Sequence, residues 1–188
     1  MNRPWNEDEE ILLTGVRRGD EQAMKALYET YVGYLRSVCF RYVSDPDAVK
    51  DLLQDSFIKI FTAIDSFEYR GKGSLRAWMT QVTTYQALSY LRSRRKFSFL
   101  DEEYDLPDEP EEAPTDLQGL PAEAIQEMIR ELPTGYRLVF CLYALDGLSH
   151  KQVAQQLGIK EGTSASQYAR ARKLLAQKIK AYMEERGL

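Results

Sequence analysis

Apolar residues recur along this chain at spacings of three and four, and polar punctuation divides them into helices. Asn6 and Glu9 form an expected capping box ahead of Ile11, Leu12 and Val16. A second helix follows Asp20, with Ala23, Leu27, Tyr31, Leu35, Val38 and Tyr42 on one stripe. Ser44, Asp45 and Pro46 interrupt it, and Pro46 suits the first turn of a third helix that carries Val49, Leu53, Phe57, Ile60 and Ile64. Gly71 and Gly73 mark a loop, Ser74 is the expected N-cap of a fourth helix, and Leu75, Trp78, Val82 and Leu91 form its inner stripe. Further helices are expected at about 122–132 and 136–145, followed by two more that pivot on Gly158. No segment alternates as a strand would, so the expected fold class is all-α.

The pivot at Gly158 is the most informative local pattern. Ser149 is a good N-cap, and Val153, Ala154 and Leu157 put small or apolar groups on one face of a short helix. A glycine then lets the chain turn through the left-handed region, so the next helix, from about Glu161, leaves at a steep angle. Its outward side is expected to offer Thr163, Ser166, Gln167, Arg170 and Lys173, hydrogen-bonding groups suited to phosphates and base edges in a major groove. The pattern therefore points to a helix-turn-helix that reads DNA.

Charge changes the picture of the middle of the chain. The net charge is only −4, but nine acids and no Lys or Arg fall between Phe97 and Pro121, and without that segment the remainder is net basic. The segment also holds Pro107, Pro110, Pro114 and Pro121, a composition that buries too little to offset its ordering entropy. It reads as a flexible acidic linker, 97–121, between two small helical domains, 1–96 and 122–188. Its one-sided acidity suggests a mimic of a nucleic-acid strand.

The fourth helix and the loop before it interleave aromatic and basic residues. Tyr69, Arg70, Lys72 and Arg76 lie in or beside the loop; Tyr85, Gln86 and the basic end with Arg92 and Arg95 follow along the helix. Aromatic faces accept unstacked bases while cations follow phosphates, so this stretch suits single-stranded DNA. Trp78, by its stripe position, is assigned to the core rather than to stacking. On the third helix, Asp51, Asp55 and Lys59 are spaced four apart with Gln54 and Ile58 adjoining, an outward polar stripe that could simply be solvated.

Several function classes are disfavoured. There is no P-loop, no dinucleotide fingerprint and no nucleophile with a histidine partner, so no catalytic residue is assigned and no cofactor is expected. His150 is the only histidine and no Cys-x-x-Cys occurs, so a four-ligand zinc set cannot be assembled. Cys39 and Cys141 sit among apolar neighbours and read as reduced core residues. No signal pattern or membrane-spanning run occurs, so a cytoplasmic location without membrane insertion is expected.

Three stretches together resemble the extracytoplasmic-function (ECF) branch of bacterial sigma-70-type sigma factors. DAVKDLLQDSFIKIFTAI, from Asp47, is similar to the family's core-polymerase-binding helix. FEYRGKGSLRAWMTQVTTYQALSYLRSRR, from Phe67, is similar to the loop and helix that melt and hold the minus-ten element. The stretch from Ile125 to Ile179 resembles the domain that reads the minus-thirty-five element. The resemblance implies a region 2 bundle, a region 4 helix-turn-helix, and a linker routed through the polymerase cleft. It makes Asp51, Gln54, Asp55 and Lys59 contact candidates for core RNA polymerase, and it implies promoter DNA and an anti-sigma factor as partners. Tyr85, Ser89, Ala165 and Gln167 stand where the family more often has asparagine, aspartate and basic residues, which leaves Arg170 and Arg172 as the main cations of the reading helix. Two other classes fit parts of the chain: a stand-alone helix-turn-helix regulator binding a palindrome, and an adaptor without DNA contacts.

Overall fold

Local capping sets where the second and third helices of the first unit begin. The computed structural model describes residues 9–93 and 120–187. Helix α1 spans Glu9–Arg17, α2 Glu21–Tyr42, α3 Pro46–Ala63 and α4 Ser74–Ser93, with a short 3-10 turn, Ile64–Ser66, extending α3. The Asp20 carboxylate accepts the N–H groups of Gln22 at 2.8 Å and Ala23 at 3.3 Å, satisfying two donors that the first turn of α2 leaves unpaired. Asp45 does the same for α3 through the Asp47 N–H, and Pro46 occupies the first turn as expected. The capping box expected at Asn6, the basic run 94–96 and the linker up to residue 119 lie outside the described residues.

The chain divides into two compact units, one ending at Ser93 and the other beginning at Arg94. In the first, α2 is the central helix, packed against α1, α3 and α4. Leu27, Leu35, Val38 and Tyr42 of α2, Val49 and Ile60 of α3 and Leu75, Met79 and Leu88 of α4 are among the largest side chains enclosed in the unit's core. Burial at about 25 cal/mol per Å2 of apolar surface is the main force holding this bundle. Cys39 lies inside it as a free thiol, and burial pushes its pKa up to about 12, so it stays protonated and inert at neutral pH.

Two inner faces differ from expectation. On α1, Ile11 points to solvent and Leu13 takes its place beside Leu12 and Val16. On α4 the buried positions are Leu75, Met79, Thr83, Thr84, Ala87, Leu88 and Leu91, while Trp78 and Val82 sit half-buried at the edge. α4 packs against both α2 and α3, so its inner face is set by two neighbours and is filled by Leu75, Met79, Leu88 and Leu91 with the smaller Thr83, Thr84 and Ala87 between them. Trp78 flanks that face and stacks on Phe67, with ring centroids 5.0 Å apart.

The second unit is built on one long helix. Helix α5 spans Ala122–Arg130 and α6 Thr134–Phe140, which continues as a π-helical turn, Cys141–Leu145; α7 spans His150–Leu157 and α8 Glu161–Arg186. α5, α6 and α7 all pack on α8. Leu138, Val139, Cys141, Leu142 and Val153 are fully enclosed, and Ala171 of α8 is buried in a cluster with Leu132 and Tyr136. Arg137 is buried with them; its guanidinium donates to the Arg130 carbonyl, and desolvation lowers its pKa. All regular elements among the described residues are helical.

Candidate nucleic-acid interface

The turn between α7 and α8 is closed by hydrogen bonds that its own residues supply. Ser149 and Gln152 form a reciprocal capping box: the Gln152 N–H donates to the Ser149 hydroxyl at 3.3 Å and the Ser149 N–H to the Gln152 side-chain oxygen at 2.9 Å. At the other end Gly158 has φ +69°, and its N–H and that of Ile159 both return to the Ala154 carbonyl. A residue with a Cβ would be strained in that conformation. The geometry is that of a helix-turn-helix, as expected from Ser149 and Gly158.

A second fastening between these helices was not legible in the sequence. His150 Nδ1 lies 3.0 Å from the Ser164 hydroxyl, which joins the first turn of α7 to the first turn of α8. The His150 ring stacks on Tyr143 at 4.1 Å and 9°, and Tyr168 of α8 packs against Tyr143 at 4.5 Å. His150 thus ties the start of α7 to the start of α8. No spacing along the chain announces a contact made by three different elements.

On α8, Ser166, Arg170 and Arg172 are exposed, and Thr163 and Lys173 are half-buried beside them. Gln167 is a correction: it is only 7% exposed and belongs to the inner face with Ser164, Ala171 and Leu175. At 100° per residue, positions 164, 167, 171 and 175 share the side of α8 that packs within this unit, and Ala165 and Ala169 are exposed beside Ser166 and Arg170.

The loop before α4 is shaped by Gly71 and Gly73, both at positive φ. Ser74 is the first residue of α4 rather than its cap. Its hydroxyl accepts the Arg70 N–H at 3.1 Å and donates to the Gly71 carbonyl at 2.6 Å, while the Gly73 carbonyl receives the Ala77 N–H. Arg70 and Lys72 are exposed on this loop, and Tyr69 is half-buried. Arg70 pairs with Glu68 at 2.9 Å, but both side chains are so exposed that the pair contributes little. Arg76 lies 3.9 Å over the ring of Tyr34 in α2. Burial raises the Tyr34 pKa, but hydrogen bonds with Thr80 and Arg76, and the Arg76 charge, outweigh it and bring the phenol below its ordinary value.

Along α4 the exposed positions 77, 81, 85, 89 and 92 form one line. Tyr85 is 60% exposed, with the Arg92 guanidinium 5.6 Å from its ring centre, and Gln86 is half-buried alongside. Arg95 lies outside the described residues. Arg70, Lys72 and Arg76 are thus exposed at the start of α4, and Tyr85 with Arg92 is exposed further along it.

On α3, Asp51, Gln54, Asp55 and Lys59 are all exposed and share one face. That face holds an apolar residue as well: Ile58 is 53% exposed, and Tyr28 of α2, also exposed, leans on Phe57 at 4.7 Å. A single exposed apolar group among charges is ordinary for a protein surface, so the face is defined by its exposed charges and by Ile58 and Tyr28 together. No cluster of His, Cys, Asp or Glu among the described residues could hold a metal ion.

Comparison with known proteins agrees with this layout. The family model for sigma-70 region 2 matches residues 27–97, and that for sigma-70 region 4 matches residues 122–175. The chain is 26% identical to the ECF RNA polymerase sigma-E factor of Haemophilus influenzae, over 93% of this chain and 97% of that one. It is 29% identical to the sigma-E factor of Salmonella typhimurium, over 91% and 94%. It is 26% identical to the ECF sigma factor SigW of Bacillus subtilis, over 88% and 93%. With both sigma-70 regions present, in order and separated by the acidic segment, the chain belongs to the sigma-70 family as an RNA polymerase sigma factor of the ECF type.

Proposed function

We propose that each of the three surfaces has its own partner during transcription initiation. The loop 67–73 and the outer line of α4 receive the unstacked strand of the minus-ten element, the outer face of α8 enters the major groove at the minus-thirty-five element, and the α3 stripe docks on core polymerase. The observation that carries this reading is Tyr85 on the outer line of α4, 60% exposed with the Arg92 guanidinium 5.6 Å from its ring centre, on the same helix that the exposed loop cations Arg70 and Lys72 precede. An aromatic face held open to solvent beside a cation suits a base stacked on a ring with its phosphates on Arg and Lys. Phosphodiester chemistry belongs to the polymerase, and this chain supplies binding and strand separation.

The family also supports action in the cytoplasm, where polymerase works, and control by an anti-sigma protein. No helix among the described residues is long and apolar enough to cross a membrane.

Each reading module is small, and tight promoter recognition needs both to engage at once. Purified chain added to core polymerase should therefore give promoter-specific transcripts that neither gives alone. By itself the chain should bind duplex weakly and with strong salt dependence in gel shifts. Nanomolar, sequence-specific binding without polymerase would instead assign it to the stand-alone regulators.

Arg170→Ala tests the α8 face. If Arg170 pairs with a guanine, the substitution costs about 1–3 kcal/mol on the preferred promoter and relaxes the choice at that base. Equal weakening on every promoter variant would place Arg170 on phosphate.

A further inference from the structure

The loop of the first unit is gripped at both ends by α1, a helix that the match to region 2 does not reach. At the far end of the loop, Glu9 accepts two hydrogen bonds: one carboxylate oxygen takes the Gly73 N–H at 2.8 Å, and the other takes the Tyr31 hydroxyl at 3.0 Å. At the near end, the Arg17 guanidinium donates to the Ile64 carbonyl at 3.4 Å and to the Phe67 carbonyl, where the 3-10 turn after α3 gives way to the loop. Glu9 and Arg17 stand eight residues apart on one helix, about 12 Å along its axis. One short rigid rod therefore spans the two ends of the segment 64–73.

The seat of that rod is itself tight. A Cβ built on Gly15 would come 2.7 Å from the Ala23 Cβ of α2, so α1 lies against α2 at a distance only glycine allows. Tyr31 is buried in α2; burial first, and then its hydrogen bond to Glu9, push the phenol above its ordinary range, so it remains a donor to Glu9 at any working pH. Tyr69 and Arg76, two of the strand-contact candidates, lie close enough to Tyr31 to share its electrostatics.

A loop with two glycines loses much conformational freedom when it binds, and each contact that orders it beforehand reduces that loss. A charged carboxylate on a backbone N–H and a guanidinium on two carbonyls are the stronger kinds of hydrogen bond. Neither residue is placed to act on DNA directly, because both are spent on backbone groups of their own chain.

We propose that α1 is the positioning element of the strand-capturing loop, with Glu9 holding its Gly73 end and Arg17 its Phe67 end. This rests on the reading of that loop as the minus-ten contact. Glu9 and Arg17 are positioning residues, and their substitution should alter promoter opening without altering core binding.

The test uses holoenzyme reconstituted from core polymerase and Glu9→Ala, Glu9→Gln, Arg17→Met or Gly15→Val chains. Core affinity should stay within about twofold, because the α3 face is untouched. Heparin-resistant open complexes on duplex promoter should fall about tenfold for Glu9→Ala and Arg17→Met, and by less for Glu9→Gln, which keeps one acceptor. A promoter melted beforehand over the minus-ten element should restore most of the loss, which a general folding defect would not allow. Amide hydrogen exchange at 71–74 should quicken in the same variants. Gly15→Val, which displaces α1 as a whole, should reproduce both effects.

Lys72→Ala with Arg76→Ala is the companion variant. If it also opens duplex promoter normally, the reading of the loop is wrong. If it is defective while the Glu9 and Arg17 variants open promoter normally, the positioning role is overturned. Should Glu9→Ala fail to fold, Glu9→Gln carries the test, and unchanged exchange together with unchanged opening in it overturns the proposal.

Discussion

A chain carrying Asp51→Lys and Asp55→Lys should fold and melt as the parent does, yet bind core polymerase about a hundredfold more weakly. Both carboxylates stand on the exposed face of α3, where substitutions ordinarily change stability by no more than about 0.5 kcal/mol. In a docked complex, two reversed charges meet groups selected for the opposite sign, and such juxtapositions cost several kcal/mol; about 3 kcal/mol corresponds to the hundredfold loss. Binding of labelled chain to core at two salt concentrations measures it, and the defect should shrink at higher salt. The exposed Ile58 sharpens the expectation, because Ile58→Ala should weaken binding without that salt dependence. Undiminished affinity of the double variant would remove this face from the docking surface.

Leu138→Ala should unfold the second unit while leaving the first intact. Leu138 is 0% exposed on α6, in the layer that α8 closes, and deleting such a side chain costs about 2–5 kcal/mol through lost burial and the cavity left behind. A core this small rarely supplies more than about 3–5 kcal/mol in total. The first unit has its own core around Leu27, Leu35 and Met79, so helicity should be lost in part and not throughout. In thermal melts monitored by circular dichroism, the parent's transition for the second unit should move down steeply or vanish. In transcription assays the variant should lose promoters that depend on the minus-thirty-five element while still binding core through α3. A melt unchanged from the parent's would show that the site relaxes to fill the cavity.

Helix by helix, what could be read in advance was what depends on a few neighbouring residues. Asp20, Pro46, Ser149 and Gly158 act on backbone groups within four positions, so they mark their helix ends wherever those helices pack. The inner stripe of α2 was legible for a related reason: a helix surrounded by others buries its whole apolar side, and period alone locates it. The same logic placed Asp51, Gln54, Asp55 and Lys59 outside and paired the turn at Gly158 with a reading helix.

Period alone did not decide how far around each helix its neighbours reach. Gln167 is polar, yet it lies on the packed side of α8; Trp78 is large and apolar, yet it sits at the edge of an inner face that Met79 and Thr83 occupy. Ser74 has the composition of a cap, yet its hydroxyl is committed to Arg70 and Gly71 inside the loop. The contacts of Glu9 with Gly73, Arg17 with Ile64, and His150 with Ser164 join residues that are distant along the chain or separated by a turn. Sequence by itself determined the helices, the ends marked by Asp20, Pro46, Ser149 and Gly158, the two sigma regions and the outward stripe of α3, because those follow from backbone hydrogen bonding and a repeat of 3.6. Only the tertiary structure decided which polar groups are spent on holding the loop and the reading helix in place, because such bonds depend on where separate helices come to rest against one another.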